Sequence, residues 1–446
     1  MRFIVAQVVV LLNCNMLYAQ RGGEQVKRAS LAGAWEFTME PYGERRSGRC
    51  VLEEDSERLT GRCSASLPIH FEGAVKGSEI EFKAKLISNN FTHSSFKGKM
   101  AGEVISGTLT YAINAQGVPW TARRPATRPE SAPRLHKFTP ERFYRTISAE
   151  TPPVLRIFPG DSVITTSLDA GGRDEKGIRR AFGGNPLTGP FYIEGAQPGD
   201  TLVIRLNRVR LNSNSAISGW NVVPNALVPA HLQEIKREQE FDNIWKLDKA
   251  KGVAVLARPT ERLKNFAVPL QPMVGGIGVA PPSGEGVNTR DSGNHGGNLD
   301  YNQLKEGATV YLPVFQPGAL LFIGDGHAAQ GDGELSGDAL ETCLEIEFTV
   351  DVIKERTIQT PRAENDEYVM AIGIAGSLQG ALQQATSEMA RWLMSDYKLS
   401  ASEIGIVLGA SMRYDVADLV GSQVSIVAKI HKTVLAQLQS ATEERK

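Results

Sequence analysis

The chain has 446 residues, with 49 Lys plus Arg against 50 Asp plus Glu and a formal charge of −1. That length exceeds what one hydrophobic core ordinarily holds, so two or three domains are expected. Basic residues are dispersed through a near-neutral chain, which argues against a nucleic-acid surface, and 44 glycines favour a turn-rich β architecture.

Residues 1–19 read as a signal peptide. Arg2 supplies the positive start, Phe3 to Leu12 the apolar core, and Leu17-Tyr18-Ala19 a small residue before the expected cut. The apolar run is too short, and too interrupted by Gln7, Asn13 and Asn15, to span a bilayer, and no other segment is apolar enough. The expected location is therefore periplasmic or extracellular. Residues 30–124 then alternate apolar and polar positions between Gly and Asn turns, as in Trp35-Glu36-Phe37-Thr38 and Ile80-Glu81-Phe82-Lys83. Successive hairpins of this kind predict a small antiparallel β-barrel. Its opening Gly33-Ala34-Trp35 and closing Trp120-Thr121-Ala122-Arg123 resemble lipocalin-like modules, with a structural or docking role expected. Cys50 and Cys63 flank a polar turn between two short strands, a disulfide in an oxidising compartment. Cys343 is left over in an alternating strand and reads as a buried structural thiol.

Residues 125–137 form a Pro-rich, extended linker. From 138 to 446 the pattern predicts an α+β, β-rich domain. Strands are expected at 153–157, 162–166 and 200–206, then helices over 370–394 and 414–438. Apolar faces on those helices offer a homodimer interface. The stretch 231–251 reads as a polar surface insertion without bearing on specificity.

Chemistry concentrates in the run from Gly324 to Glu334, which places Asp325, His327, Asp332 and Glu334 among glycines after the apolar Gly318–Ile323 segment. Residues two apart on an extended chain share a side, so Asp325 faces with His327, and Asp332 with Glu334. Such a set suits a divalent ion and the water it activates; the same local pattern also fits an acidic turn. A second stretch, Ser292-Gly293-Asn294-His295-Gly296-Gly297-Asn298-Leu299-Asp300, leaves its imidazole between glycines rather than among core side chains. Leu168-Asp169-Ala170 ends a strand with a carboxylate, and Asn185-Pro186-Leu187-Thr188-Gly189-Pro190 sets polar groups at a bend.

Together with Gly195-Ala196-Gln197-Pro198-Gly199-Asp200, Gly275-Gly276-Ile277-Gly278-Val279-Ala280-Pro281 and Leu312-Pro313-Val314, these ordered blocks resemble the acetamidase/formamidase family. The resemblance runs from Pro153 to the C-terminus. It implies a β-sandwich domain with C-terminal helices and hydrolysis of short amides, acetamide- or formamide-like, to a carboxylate and ammonia. It further implies Asp169, His295, Asp325 and His327 as metal ligands, for zinc or alternatively calcium. Glu334 is the expected base, and Asp332 a further ligand or a group that orients one. Asn185 and Thr188 either orient the substrate amide or hold the Gly189-Pro190 bend, and Gly275 to Pro281 shape a pocket floor or a turn. A Gly-x-Ser-x-Gly elbow is absent, and Cys343 has no His nearby in sequence. The alternatives are a hydrolase of a larger amide or a lactam, and an exported non-catalytic protein that binds metal or ligand.

Overall fold

The structure is a computed structural model that describes residues 30–438, apart from 44–45, 65–68, 87–93, 112–113, 129–131, 236–237 and 239. The expected signal peptide lies outside the described residues. Eight strands, from Gly33–Met39 to Asn114–Arg123, each pair with the next, and the last closes on the first through Glu36 opposite Arg123. Alternation builds the interior: Trp35, Phe37, Leu52, Phe71, Phe82, Phe96 and Trp120 all turn inward. The rings of Phe71, Phe96 and Trp120 meet edge to face at 5.3 and 5.8 Å, the arrangement their quadrupoles favour. At Gly73 a Cβ would enter the backbone carbonyl of Glu81, so only glycine lets the neighbouring strand coil this closely. Cys50 and Cys63 stand opposite one another in adjacent strands and are joined as a disulfide.

The segment expected as an extended linker is docked at its far end. Leu135–Lys137 pairs in parallel with Ser162–Thr166, and the buried Asp161 carboxylate gathers Arg128 (2.6 Å), the Arg134 N–H (2.9 Å) and His136 Nε2 (3.2 Å). Beyond it the body holds an 11-stranded and a 9-stranded sheet among the described residues, with a small two-stranded sheet of Thr146–Ser148 and Gly286–Asn288 beside them. Its main core holds Phe191, Leu202, Ile277, Leu321 and Phe348, contributed by strands of both sheets. The fold is therefore β-rich with helices near its C-terminus.

Two helix expectations need correction. Met370 to Ala375 belongs to the strand Tyr368–Ala375, and the helix occupies Leu378–Tyr397 behind an N-cap at Ser377. Within 414–438 the chain forms the strands Arg413–Asp418 and Val424–His431, with only the short helix Lys432–Leu435 after them. Val424-Ser425-Ile426-Val427-Ala428 is a buried, β-branched run, and such runs carry no period that separates helix from strand. A second helix, Ala401–Ser411, starts at the Ser400–Glu403 capping box, a legible signal that periodicity alone overlooks. The 231–251 stretch is likewise no bland insertion: Ile244–Asp248 is a strand, and Trp245 is buried.

Candidate metal centre

The strand Leu321–His327 is buried along its whole length and carries Asp325 and His327 into the protein. Asp325 adopts φ +59° inside that strand, opposite Gly275 of the neighbouring strand Met273–Val279. A Cβ at Gly275 would lie 3.1 Å from both Asp325 Oδ2 and His327 Cε1, and would overlap Asp300 Oδ1. Glycine at 275 thus keeps space for three ligand-bearing side chains to converge. Asp300 closes the stretch that begins at Ser292, and Glu341 stands directly across the ladder from His327.

Asp300, Asp325 and His327 form one group whose ligand atoms lie within 4.8 Å of one another, and His327, Glu334 and Glu341 form another. His327 Nε2 is 3.1 Å from Glu341 Oε1 and 3.9 Å from both Asp300 Oδ1 and Asp325 Oδ1. Its Nδ1 lies 2.8 Å from Gln330 Oε1, while Gln330 Nε2 donates to the carbonyls of Asp300 (2.5 Å) and Ala417 (3.4 Å). Two carbonyl partners fix the orientation of that amide, so the imidazole donates from Nδ1 and presents Nε2 to the carboxylates.

Four of the site residues sit at positive φ without being glycine: Asn185, Asp300, Asp325 and Glu334. Each such position costs about 1–3 kcal/mol and persists only where the surroundings enforce it. The enforcing bonds are visible. Asn185 Nδ2 donates to Asp325 Oδ2 (2.9 Å) and Asn298 Oδ1 (2.8 Å), Asn298 Nδ2 donates to Asp300 Oδ2, and the Ala339 N–H donates to Glu334 Oε1 (2.8 Å) and Glu341 Oε1 (2.9 Å).

Electrostatics put the cluster under stress. Burial, reinforced by the neighbouring acids, lifts the Asp325 carboxyl to about 7. Burial also holds Asp300 and Glu334 well above the usual carboxylate range, and it raises Asp418, from the adjoining C-terminal strand, to about 6. For His327 burial favours the neutral ring, yet the Glu341, Asp325 and Asp300 carboxylates together hold it well above its ordinary value. One imidazolium cannot neutralise this many acids. Asp300 Oδ1, Asp325 Oδ1, His327 Nε2 and Glu341 Oε2 are buried and without a hydrogen-bond partner. Orphaned polar atoms in a dry site are costly, and a divalent cation could be held by Asp300, Asp325 and His327, or by His327, Glu334 and Glu341. The oxygen-rich, single-imidazole donor set fits such an ion.

The expected residues thus divide. Asp325, His327 and Glu334 come together, and Asn185 reaches Asp325 directly. Asp169 is half-buried, accepts from the Arg173 N–H (2.8 Å), and is raised by burial with a contribution from Glu341, but it belongs to neither group. His295 is also outside both groups. It is 6 % exposed, its Nε2 is unpartnered, and burial lowers it to about 4, so it is a neutral imidazole. Asp332 is exposed and accepts from Asn302 Nδ2 at 2.8 Å. Thr188 is buried with an unpartnered hydroxyl. Asp300 and Glu341 were not among the expected ligands. The first ended a quoted motif, whereas the second becomes visible only through its pairing with His327.

The fold and this site define a β-rich protein with a buried acidic centre that could hold a divalent cation. Comparison with known proteins points the same way: residues 282–394 match the model of the Acetamidase/Formamidase family. The chain is 34% identical over 219 residues to an acetamidase of Mycolicibacterium smegmatis, covering 38% of this chain and 53% of that protein. It spans about half the length of the curated relatives it matches. Among solved structures it resembles a predicted acetamidase/formamidase from Thermoanaerobacter tengcongensis (TM-score 0.59, 25% identity, 69% of this chain and 99% of that one). An acetamidase from Bacillus halodurans is similar at TM-score 0.57 and 29% identity, over 68% of this chain and 99% of that one.

Proposed function

We propose that this protein is a metal-dependent amidase that hydrolyses the C–N bond of short linear amides to a carboxylate and ammonia. The observation that carries the reading is the set of four unpartnered ligand atoms around His327, in a chain similar to acetamidases and a formamidase. The proposed ligand set keeps Asp325 and His327 and adds Asp300 and Glu341. A divalent cation held there would polarise the amide carbonyl and acidify water at neutral pH. Imidazole suits zinc, and the number of carboxylates suits calcium or a second ion.

The chain's own groups supply the rest. Glu334 is the proposed base. Burial keeps its carboxyl well above the ordinary range, which makes its carboxylate a stronger base than a free one, and the Ala339 N–H holds one of its oxygens in place. It accepts the proton of the attacking water and returns it to the departing nitrogen. Asn185 and Asn298 fix the Asp325 and Asp300 carboxylates, which support the same face of the site. His295, neutral and with a free Nε2, is a further polar group available to an amide.

We also propose export, on the pattern of residues 1–19, and a lipocalin-like docking or structural role for the barrel. The space inside the barrel is about 40 Å³, too little for a sizeable ligand. Ammonia release from formamide, acetamide, larger amides and lactams, with and without chelator, tests the reading. Chelator-sensitive release from short amides supports it. No release from any of them, despite stoichiometric metal, would leave a binding protein.

A further inference from the structure

A cleft of about 390 Å³ lies in the body beside the strands Ser215–Ile217, Ile244–Asp248 and Val253–Leu256. Four rings line it, Trp220, Phe241, Trp245 and Phe266, with Leu256 and Leu263 between them. Trp245 and Phe266 stand edge to face at 6.1 Å. Trp220 and Phe266 remain 43 % and 48 % exposed, large apolar surfaces that the fold itself leaves uncovered. The volume falls within the range typical of small-molecule sites and is about ten times the space inside the barrel.

The cleft is separate from the acidic centre. Directly paired residues share a sheet face, so His327, Glu341, Ile217 and Ile244 form one row across four strands. Trp245, next to Ile244 and paired with Leu256, projects to the opposite face. The two sites are thus back to back, sharing the segment between Glu334 and Glu341. That segment bonds to the cleft wall through the Gly219 N–H to the Asp338 carbonyl (3.1 Å) and the Val223 N–H to the Leu335 carbonyl (2.8 Å).

The chemistry of the lining selects the occupant. Its hydrogen-bonding groups are largely spent on one another. Trp245 Nε1 donates to Ser218 Oγ (3.0 Å), Ser218 Oγ donates to the Gly219 carbonyl (2.9 Å), Asn243 donates to the Ser218 carbonyl, and Trp220 Nε1 donates to the Glu238 carbonyl (3.2 Å). Among the described residues Glu238, exposed at the rim, is the one charged group in the lining, and its carboxylate disfavours anions. What remains is mostly ring and aliphatic surface. We infer that this cleft is a second binding site, distinct from the proposed catalytic centre, for an uncharged ring-bearing molecule stacked among Trp220, Phe241, Trp245 and Phe266.

The test uses the full-length protein with 4-fluorobenzyl alcohol as probe and 4-fluorobenzoate as its anionic counterpart, followed by ¹⁹F NMR line broadening. Saturable binding of the alcohol is expected, weakened at least tenfold by Trp220→Ala and by Phe266→Ala and unchanged by Phe182→Ala, a surface ring elsewhere. Both cleft rings are half-exposed, so their removal leaves the folded core intact, and circular dichroism checks this. Chelation should leave binding unchanged. Absence of saturable binding, equal binding in the cleft variants, equal binding of benzoate, or loss on chelation would each overturn the inference. None of these readouts depends on amide hydrolysis.

Discussion

Asp325→Asn should stabilise the chelated protein at pH 8 and destabilise the metal-loaded one. The Asp325 carboxyl rises from 3.8 to about 7 in the folded state, chiefly through burial with Glu341 adding to it. Between those values the folded protein holds a proton that the unfolded chain has released, so stability falls as pH climbs through the window. The rise corresponds to a cost of about 4 kcal/mol at most, absent below pH 4 and complete above pH 7. Asparagine has no proton to lose, tolerates the positive φ, and can still meet Asn185. Thermal unfolding in chelator should show the variant melting up to about 8 °C above the parent at pH 8, at roughly 2 °C per kcal/mol, and within a degree or two of it at pH 4. With metal restored the order should invert, because the variant loses a ligand. A chelated variant no more stable than its parent at pH 8, or a pH-independent difference, would refute the account of a cluster strained by like charge.

Other consequences are as specific. Glu334→Gln should keep metal and fold yet lose at least a hundredfold in turnover, since proton transfer typically contributes about 10²–10⁴-fold; full activity would place the base elsewhere. Gln330→Leu removes the acceptor at His327 Nδ1 and should weaken metal affinity about 10–100-fold by competition titration, with little change in melting of the chelated protein. Gly275→Ala introduces a methyl group against Asp300, Asp325 and His327 and should abolish tight metal binding while the barrel stays folded by circular dichroism. Cys50→Ser opens the disulfide that closes a short loop in the barrel, and should cost about 2–4 kcal/mol in denaturant unfolding under oxidising conditions, with no effect under reducing ones.

Much of this architecture was legible because periodicity and turn chemistry agree. In the barrel, alternation, glycine turns and paired cysteines all indicate hairpins, and eight such strands close. The C-terminal region misled for a definite reason. Val424 to Ile430 sets Val424, Ile426, Ala428 and Ile430 on one face and Ser425, Val427 and Lys429 on the other, and a run this short and mostly buried does not by itself separate periods of 2 and 3.6. The site was half legible. Asp325 and His327 lie two apart on one strand, a spacing that suggests a shared face even though Asp325 itself sits at positive φ. Glu341 is 14 residues further on, and only the ladder that pairs it with His327 brings it into reach. Asp300 reaches the same point through a backbone turn at positive φ that no periodic rule anticipates. Asp332 shows the converse. Its spacing from Glu334 suggested a shared face, but the chain turns at Gly333, leaving one carboxylate buried and the other in solvent.

Elemental analysis of protein purified without chelator addresses the central claim most directly. The account predicts near-stoichiometric divalent metal in the parent protein and its loss in an Asp300→Asn, His327→Ala double variant that remains folded. A parent protein carrying no more metal than that variant would contradict it.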